Sequence, residues 1–240
     1  MRIALAFLMT LALAAPAAAQ TAGSLSFHRT LSAGPRDVVA VEADHGNFSA
    51  SVHVAAWQKN SVQVDVSGTG SDAGQVEVTA VRTGNRIQIT ARRDSQGGFW
   101  SHVFGNFGHS PNLAIEVRVP ATVVLEVATT NGHVGVEALS GSVTATTVNG
   151  SVEIRDGGSV LHLESVNGGI TASIARMSGA PDISIKTVNG GVHLSVPSNF
   201  GARITTSTVN GGVRNPFANA RRSGSASVET VNGGITITTR

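Results

Sequence analysis

The sequence predicts an all-β chain, a repetitive parallel β-solenoid or β-helix-like array with Asn-Gly corners. Three observations carry this. A six-residue segment built on Asn-Gly recurs through the second half of the chain. The residues on either side of it alternate between apolar and polar with period two. The composition is rich in Gly and in small and β-branched residues, holds only 4% aromatics, and shows almost no helix-period patterning.

Before the array comes an export signal. Arg2 supplies a positive start, residues 3–15 are an apolar run, and Ala17, Ala18 and Ala19 precede Gln20 as a small-residue cleavage site, so residues 1–19 are expected to be removed. The run is too short to span a bilayer. No later stretch is long and apolar enough for a membrane helix, so the expected location is the periplasm or the cell surface of a Gram-negative-type envelope. With no Cys, the exported chain can form neither disulfides nor a lipid-modified N-terminal cysteine. Its formal charge is +2, and +1 once Arg2 leaves with the signal; the sequence pI of 9.9 reflects the absence of Tyr and Cys rather than a cationic surface. Nucleic acid is therefore not an expected partner.

Residues 20–120 read as the irregular first part of the array. VEADHGNFSA at 41–50 aligns with VETVNGGITI at 228–237, with His45 where the Asn would stand. Further alternating strands follow at Val62, Val64 and Val66, at Val76 and Val78, at Ile87 and Ile89, and at Leu113, Ile115, Val117 and Val119, with Pro120 marking the step into the regular repeats.

Residues 121–240 form the regular region. Its copies are TTNGHV at 129–134, TVNGSV at 147–152, SVNGGI at 165–170, TVNGGV at 187–192, TVNGGV at 208–213 and TVNGGI at 230–235. Asn131, Asn149, Asn167, Asn189, Asn210 and Asn232 are separated by 18, 18, 22, 21 and 22 residues, a spacing that signals a repeat architecture. Positions two, four and six before each Asn, and three and five after it, are mostly small or apolar and should face inward; only Asn215 breaks the pattern.

Two connectivities satisfy this code. Asn-Gly can close a two-residue hairpin with positive φ at both positions, giving an antiparallel meander. Alternatively each unit is one winding of a solenoid, its strands stacking in parallel on the next. Repetition of the corner itself favours the solenoid, because identical residues can pass side-chain hydrogen bonds from winding to winding as an Asn ladder does. The six Asn are accordingly expected to be structural, tolerant of left-handed backbone and bridging adjacent windings.

With these residues in hand, the chain resembles the bacterial putative adhesin family, a β-strand repeat family of unknown function. The likeness lies in the early strand ending at Trp57 with the polar turn 58–61 before Val62, Val64 and Val66, the strand leading into Val119-Pro120, and the TVNGGV units. It spans nearly all of the mature chain. The resemblance implies the architecture and a cell-envelope setting, and supplies no catalytic or binding residues.

The chemistry-bearing candidates are few. Calcium-binding β-rolls need Asp in their turns; here the turns lack it, and Asp156 and Asp182 are isolated. No Gly-x-Ser-x-Gly elbow and no carboxylate cluster suggests hydrolysis. The row three before the Asn mixes Thr146, Glu164, Lys186, Ser207 and Glu229, a poor ice template, with Glu164 and Lys186 expected as neighbours on adjacent windings. Residues 94–112 gather Phe99, Trp100, Phe104 and Phe107 with His102 and His109: a candidate binding loop, or a lid over the apolar core, which the cost of exposing aromatics favours. His102 and His109 lack a third ligand, so no metal and no cofactor is expected. Arg214, Arg221 and Arg222 are a candidate anion contact. The strand at 235–239 ends the chain, and its edge is a candidate for self-association.

The expected function is a non-catalytic structural or interaction protein of the cell envelope, with an unknown envelope protein or glycan as partner. Envelope-stress sensing through the same surface is one alternative, and a carbohydrate-active β-helix enzyme another.

Overall fold

The computed structural model describes residues 24–45, 48–70, 72–93, 111–175, 179–218 and 224–240. Residues 1–19, read as an export signal, and the aromatic-rich segment with Phe99, Trp100, His102, Phe104, Phe107 and His109 lie outside the described residues, as do Arg221 and Arg222.

Nineteen strands and one short 3-10 turn make up the described elements. The irregular part contributes β1 (Ser24–Ser32), β2 (Val38–His45), β3 (Ser49–Trp57), β4 (Ser61–Thr69), β5 (Val76–Thr83), β6 (Arg86–Arg93) and β7 (Asn112–Pro120). The regular part continues with β8 (Val124–Asn131), β9 (Val134–Glu137), β10 (Val143–Asn149), β11 (Val152–Gly157), β12 (Val160–Asn167), β13 (Ile170–Ile174), β14 (Asp182–Asn189) and β15 (Val192–Val196). It ends with β16 (Ala202–Asn210), β17 (Val213–Arg214), β18 (Gly224–Asn232) and β19 (Ile235–Thr239).

These strands form two mixed, mostly parallel sheets. Sheet A runs β1-β4-β7-β3-β9-β11-β13-β15-β19-β17 and sheet B runs β16-β18-β14-β12-β10-β8-β2-β6-β5. Each Asn-Gly corner therefore joins a strand of sheet B to one of sheet A, and the two make one rung. Among the described residues, antiparallel pairing is confined to the N-terminal end, at β1–β4, β4–β7 and β5–β6. The meander is overturned: a hairpin would pair the strands flanking each corner, whereas here they belong to different sheets and pair in parallel with other rungs.

The alternation read from the sequence is the packing code. Val127, Leu125, Leu163, Leu161, Ile185 and Ile183 on sheet B meet Val134, Val136, Val152, Ile154, Ile170 and Leu194 on sheet A, all essentially inaccessible. Burial of each such side chain favours folding by roughly 1.5–3 kcal/mol, provided neighbouring rungs cover it.

The six corners stack in one file. Asn149 donates Nδ2–H to Asn131 Oδ1 at 2.9 Å, Asn167 to Asn149 at 2.9 Å, Asn189 to Asn167 at 2.8 Å, Asn232 to Asn189 at 2.9 Å and Asn210 to Asn232 at 2.8 Å. The backbone answers in the opposite sense: Gly132 N–H donates to the Asn149 carbonyl at 3.0 Å, and Gly150, Gly168, Gly190 and Gly233 repeat the bond to the next rung. The residue two before each Asn completes the corner, as when the Ser165 hydroxyl donates to the Gly150 carbonyl at 3.0 Å and Thr187 to that of Gly168 at 2.9 Å.

The reason for Gly differs from the expected one. None of the six Asn has positive φ, so left-handed tolerance does not select it. A Cβ on Gly150, Gly168, Gly190, Gly211 or Gly233 would collide with the carbonyl of the equivalent Gly one rung away. Close approach of rungs excludes every side chain there, and at Gly132 and Gly233 a positive φ of 151° and 158° adds to it.

Rung order departs from chain order at both ends. The β2–β3 rung lies between β6–β7 and β8–β9, and the final rung β18–β19 lies between β14–β15 and β16–β17. The expected C-terminal edge is thus corrected: β19 is flanked by β15 and β17, and the edges at this end are β16 and the two-residue β17. Composition accounts for the exchange. The β16–β17 rung has Thr206 where its neighbour has Val228, and Asn215 beyond β17 where the others continue with apolar residues. The least apolar inner face goes outermost, where no rung covers it; for the same reason Val213, expected inward, is 47% exposed. Asn215 caps the stack by donating Nδ2–H to the Ile204 carbonyl at 2.7 Å and accepting from Phe217 N–H at 2.9 Å. Phe217 meets the buried Phe200 edge-on, with centroids 6.1 Å apart.

Two outcomes follow. Gly168→Ala should destabilise the protein by roughly 2–3 kcal/mol, because the new methyl meets backbone and not a movable side chain; urea unfolding measures it. Asn215→Ala should lower stability by about 1–2 kcal/mol by removing the partners of Ile204 and Phe217, read in the same assay.

Candidate functional site

Each letter of the repeated Thr-Val-Asn-Gly has a task except one. The hydroxyl, the amide and the missing Cβ all serve stacking. The Val does not. It stands one before the Asn, on outward parity, and Val148, Val166, Val188 and Val231 are each 40–41% exposed while Val209 is 73% exposed. In register these five lie on successive rungs in the order 148, 166, 188, 231, 209. They form an apolar ridge about 19 Å long at the rung spacing of ~4.8 Å.

Beside this ridge, two residues upstream, runs the polar row Thr146, Glu164, Lys186, Glu229 and Ser207. Glu164 and Lys186 are cross-strand neighbours as expected, and rung exchange adds Glu229 on the other side of Lys186. Ridge and row enclose an open groove of about 460 Å³, floored by Thr147, Ser165, Thr187 and Thr230. Those four floor hydroxyls donate inward to corner carbonyls, so the floor is not a ready donor surface. What it presents is a wall of methyl groups facing an acid–base–acid row.

Sheet A carries a smaller polar notch of about 90 Å³ around Gly135. Without a Cβ, Gly135 makes room for the rings of His53 and His133, both of which lie against it. His53 Nε2 lies 3.6 Å from Glu137 Oε1 and His133 Nε2 lies 3.8 Å from Glu153 Oε2. Arg155 bridges the two carboxylates, Nε to Glu153 at 2.9 Å and Nη1 to Glu137 at 2.8 Å. Those bonds, to Glu153 first and then Glu137, hold its guanidinium pKa above the ordinary value. The charges are used on one another, which makes this a surface ion-pair network rather than a docking point. Among the described residues no group of three or more His, Asp or Glu is placed to hold a metal ion.

The six Asn sit in the corner file beside the Val ridge, engaged with one another. Arg214 lies exposed on β17 at the far end of sheet A, across from Thr236, and takes no part in the groove. The Val ridge was missed from sequence, although its signal was present: one apolar letter recurring at outward parity in a code where outward residues are otherwise polar.

No family model matches the chain, and no curated protein matches it. Among solved structures, the chain is similar to a putative cell adhesion protein from Clostridium sporogenes ATCC 15579, at 10% identity and TM-score 0.47, covering 90% of this chain and 100% of that one. It is also similar to a putative adhesin from Bacteroides fragilis NCTC 9343, at 11% identity and TM-score 0.33, covering 90% and 97%. A third similar structure is a putative lipid binding protein from Parabacteroides distasonis ATCC 8503, at 11% identity and TM-score 0.31, covering 90% and 96%. No described helix is long and apolar enough to cross a membrane.

Proposed function

We propose that this chain is a non-catalytic, exported interaction module of the cell envelope, an adhesin-like β-solenoid whose binding face is the outer surface of sheet B. The observation that carries this reading is the Val ridge. Soluble proteins rarely leave contiguous apolar surface open without a use for it, and here the same exposed Val is repeated on five successive rungs. A rigid stack suits that role, since a face held by main-chain ladders loses little freedom on binding.

Catalysis fits the same groove poorly. Glycoside hydrolysis needs two carboxyl groups flanking the scissile bond. Glu164 and Glu229 instead stand side by side in one row with Lys186 between them, on an open face. An envelope location agrees with the signal-like first 19 residues and the absence of Cys.

The test is retention of envelope fractions (outer-membrane vesicles, cell-wall polymer, soluble periplasmic extract) on the immobilised protein. Wild type should retain a component that Val166→Glu/Val188→Glu loses by at least tenfold, while the thermal midpoint stays within a few degrees because both sites are surface positions. Turnover of a polysaccharide panel, abolished by Glu164→Gln or Glu229→Gln, would overturn the non-catalytic assignment.

A further inference from the structure

The ridge constrains its occupant, because a partner filling every step must itself repeat at the rung spacing. Glycans and single peptides have other periods, whereas a second copy of this chain has the matching one. We propose that the outer face of sheet B is an isologous self-association surface, two copies packing face to face with opposed rung order. This rests on reading that face as the binding face.

Charge decides where the two-fold axis lies. The row reads Glu164, Lys186, Glu229 on adjacent rungs. An axis along the strands through the Lys186 rung would set Lys186 against Lys186 and Glu164 against Glu229, all like charges. Placed between β12 and β14, the axis sets Glu164 of each copy opposite Lys186 of the other, twice, and Glu229 opposite Thr146. The same axis opposes Val166 to Val188 and Val148 to Val231, also twice, and leaves Val209 against Thr130. One further column outward it opposes His162 to Ser184, Thr144 to Ser227 and Glu126 to Thr205, with no like charges meeting. Thus a single operation covers six rungs, buries the whole ridge and pairs the charges. The shared face measures roughly 24 Å by 14 Å from rung and residue spacings. At roughly 700 Å² in total it lies below the range of stable specific interfaces, so the association is concentration-dependent and weak.

Sedimentation equilibrium of the full exported chain from about 5 to 500 μM should show a monomer–dimer equilibrium. Lys186→Glu should weaken it at least tenfold. Exchanging charge between chains, by mixing Lys186→Glu protein with Glu164→Lys protein, should restore it to within about threefold; each chain then carries a like-charged pair of cross-strand neighbours that only the other chain neutralises, a rescue that an ion pair within one chain would not give. As a conservative second measurement in this Cys-free chain, a mixture of Val166→Cys and Val188→Cys proteins should form an interchain disulfide faster than either alone. A monomer at every concentration would overturn the proposal, and so would self-association indifferent to Lys186→Glu or a charge exchange that fails to rescue. A monomeric protein whose envelope partner is still lost in Val166→Glu/Val188→Glu would remove the second copy as occupant while leaving the binding face standing.

Discussion

The corner contact is the constraint from which the rest of the array follows. At each rung an Asn side chain donates to the next Asn, a Gly backbone amide donates back the other way, and a Thr or Ser hydroxyl donates to a Gly carbonyl. Three hydrogen bonds of opposed sense at one point fix both the spacing and the register of successive rungs. Each is worth only about 1 kcal/mol net, yet together they leave no room for a one-residue slip, which would turn every inward side chain out. The Gly enforces this sterically, since nothing larger fits between its Cα and the carbonyl above.

Register at the corner determines the core and the surface alike. Because rungs stack without offset, aliphatic side chains of the same position meet in columns that fill most of the space between sheets, joined by the buried Phe48 and Phe200. The same alignment gathers outward residues into rows. A Val that would be an unremarkable exposed residue on an isolated strand becomes one step of a ridge, and Glu164, Lys186 and Glu229 become an alternating charge row. The apolar ridge and the charge row beside it are therefore by-products of how the chain stacks, amplified by repetition.

Ends are where a stack differs from a closed domain, and the two ends are closed differently. At the start, the reversed strands β4 and β5 flank the parallel rungs, and β1 pairs antiparallel on the outside of β4. At the other end the least apolar rung is moved outward and capped by Asn215 and Phe217. Burying Thr206 and Asn215 mid-stack would leave polar groups competing with the aliphatic columns; at the end the Asn215 amide satisfies a backbone carbonyl that has no further strand.

By itself, the sequence determined what local chemistry can determine: strands from period-two alternation, rung length from the Asn spacing, inward faces from parity, and the corner residues from their repetition. Asn215 was visible as the one break in the pattern, and its capping role is the physical meaning of that break. Only the tertiary structure decided which rungs are neighbours in space, because rung order depends on matching inner faces between strands as far apart in the chain as Asn189 and Asn232, or Val38 and Val124, rather than on any local signal. That order carried β19 away from the edge, set Glu229 beside Lys186, and aligned five Val into a ridge. The reason Gly follows each Asn was likewise invisible locally, since it lies in the carbonyl of another rung.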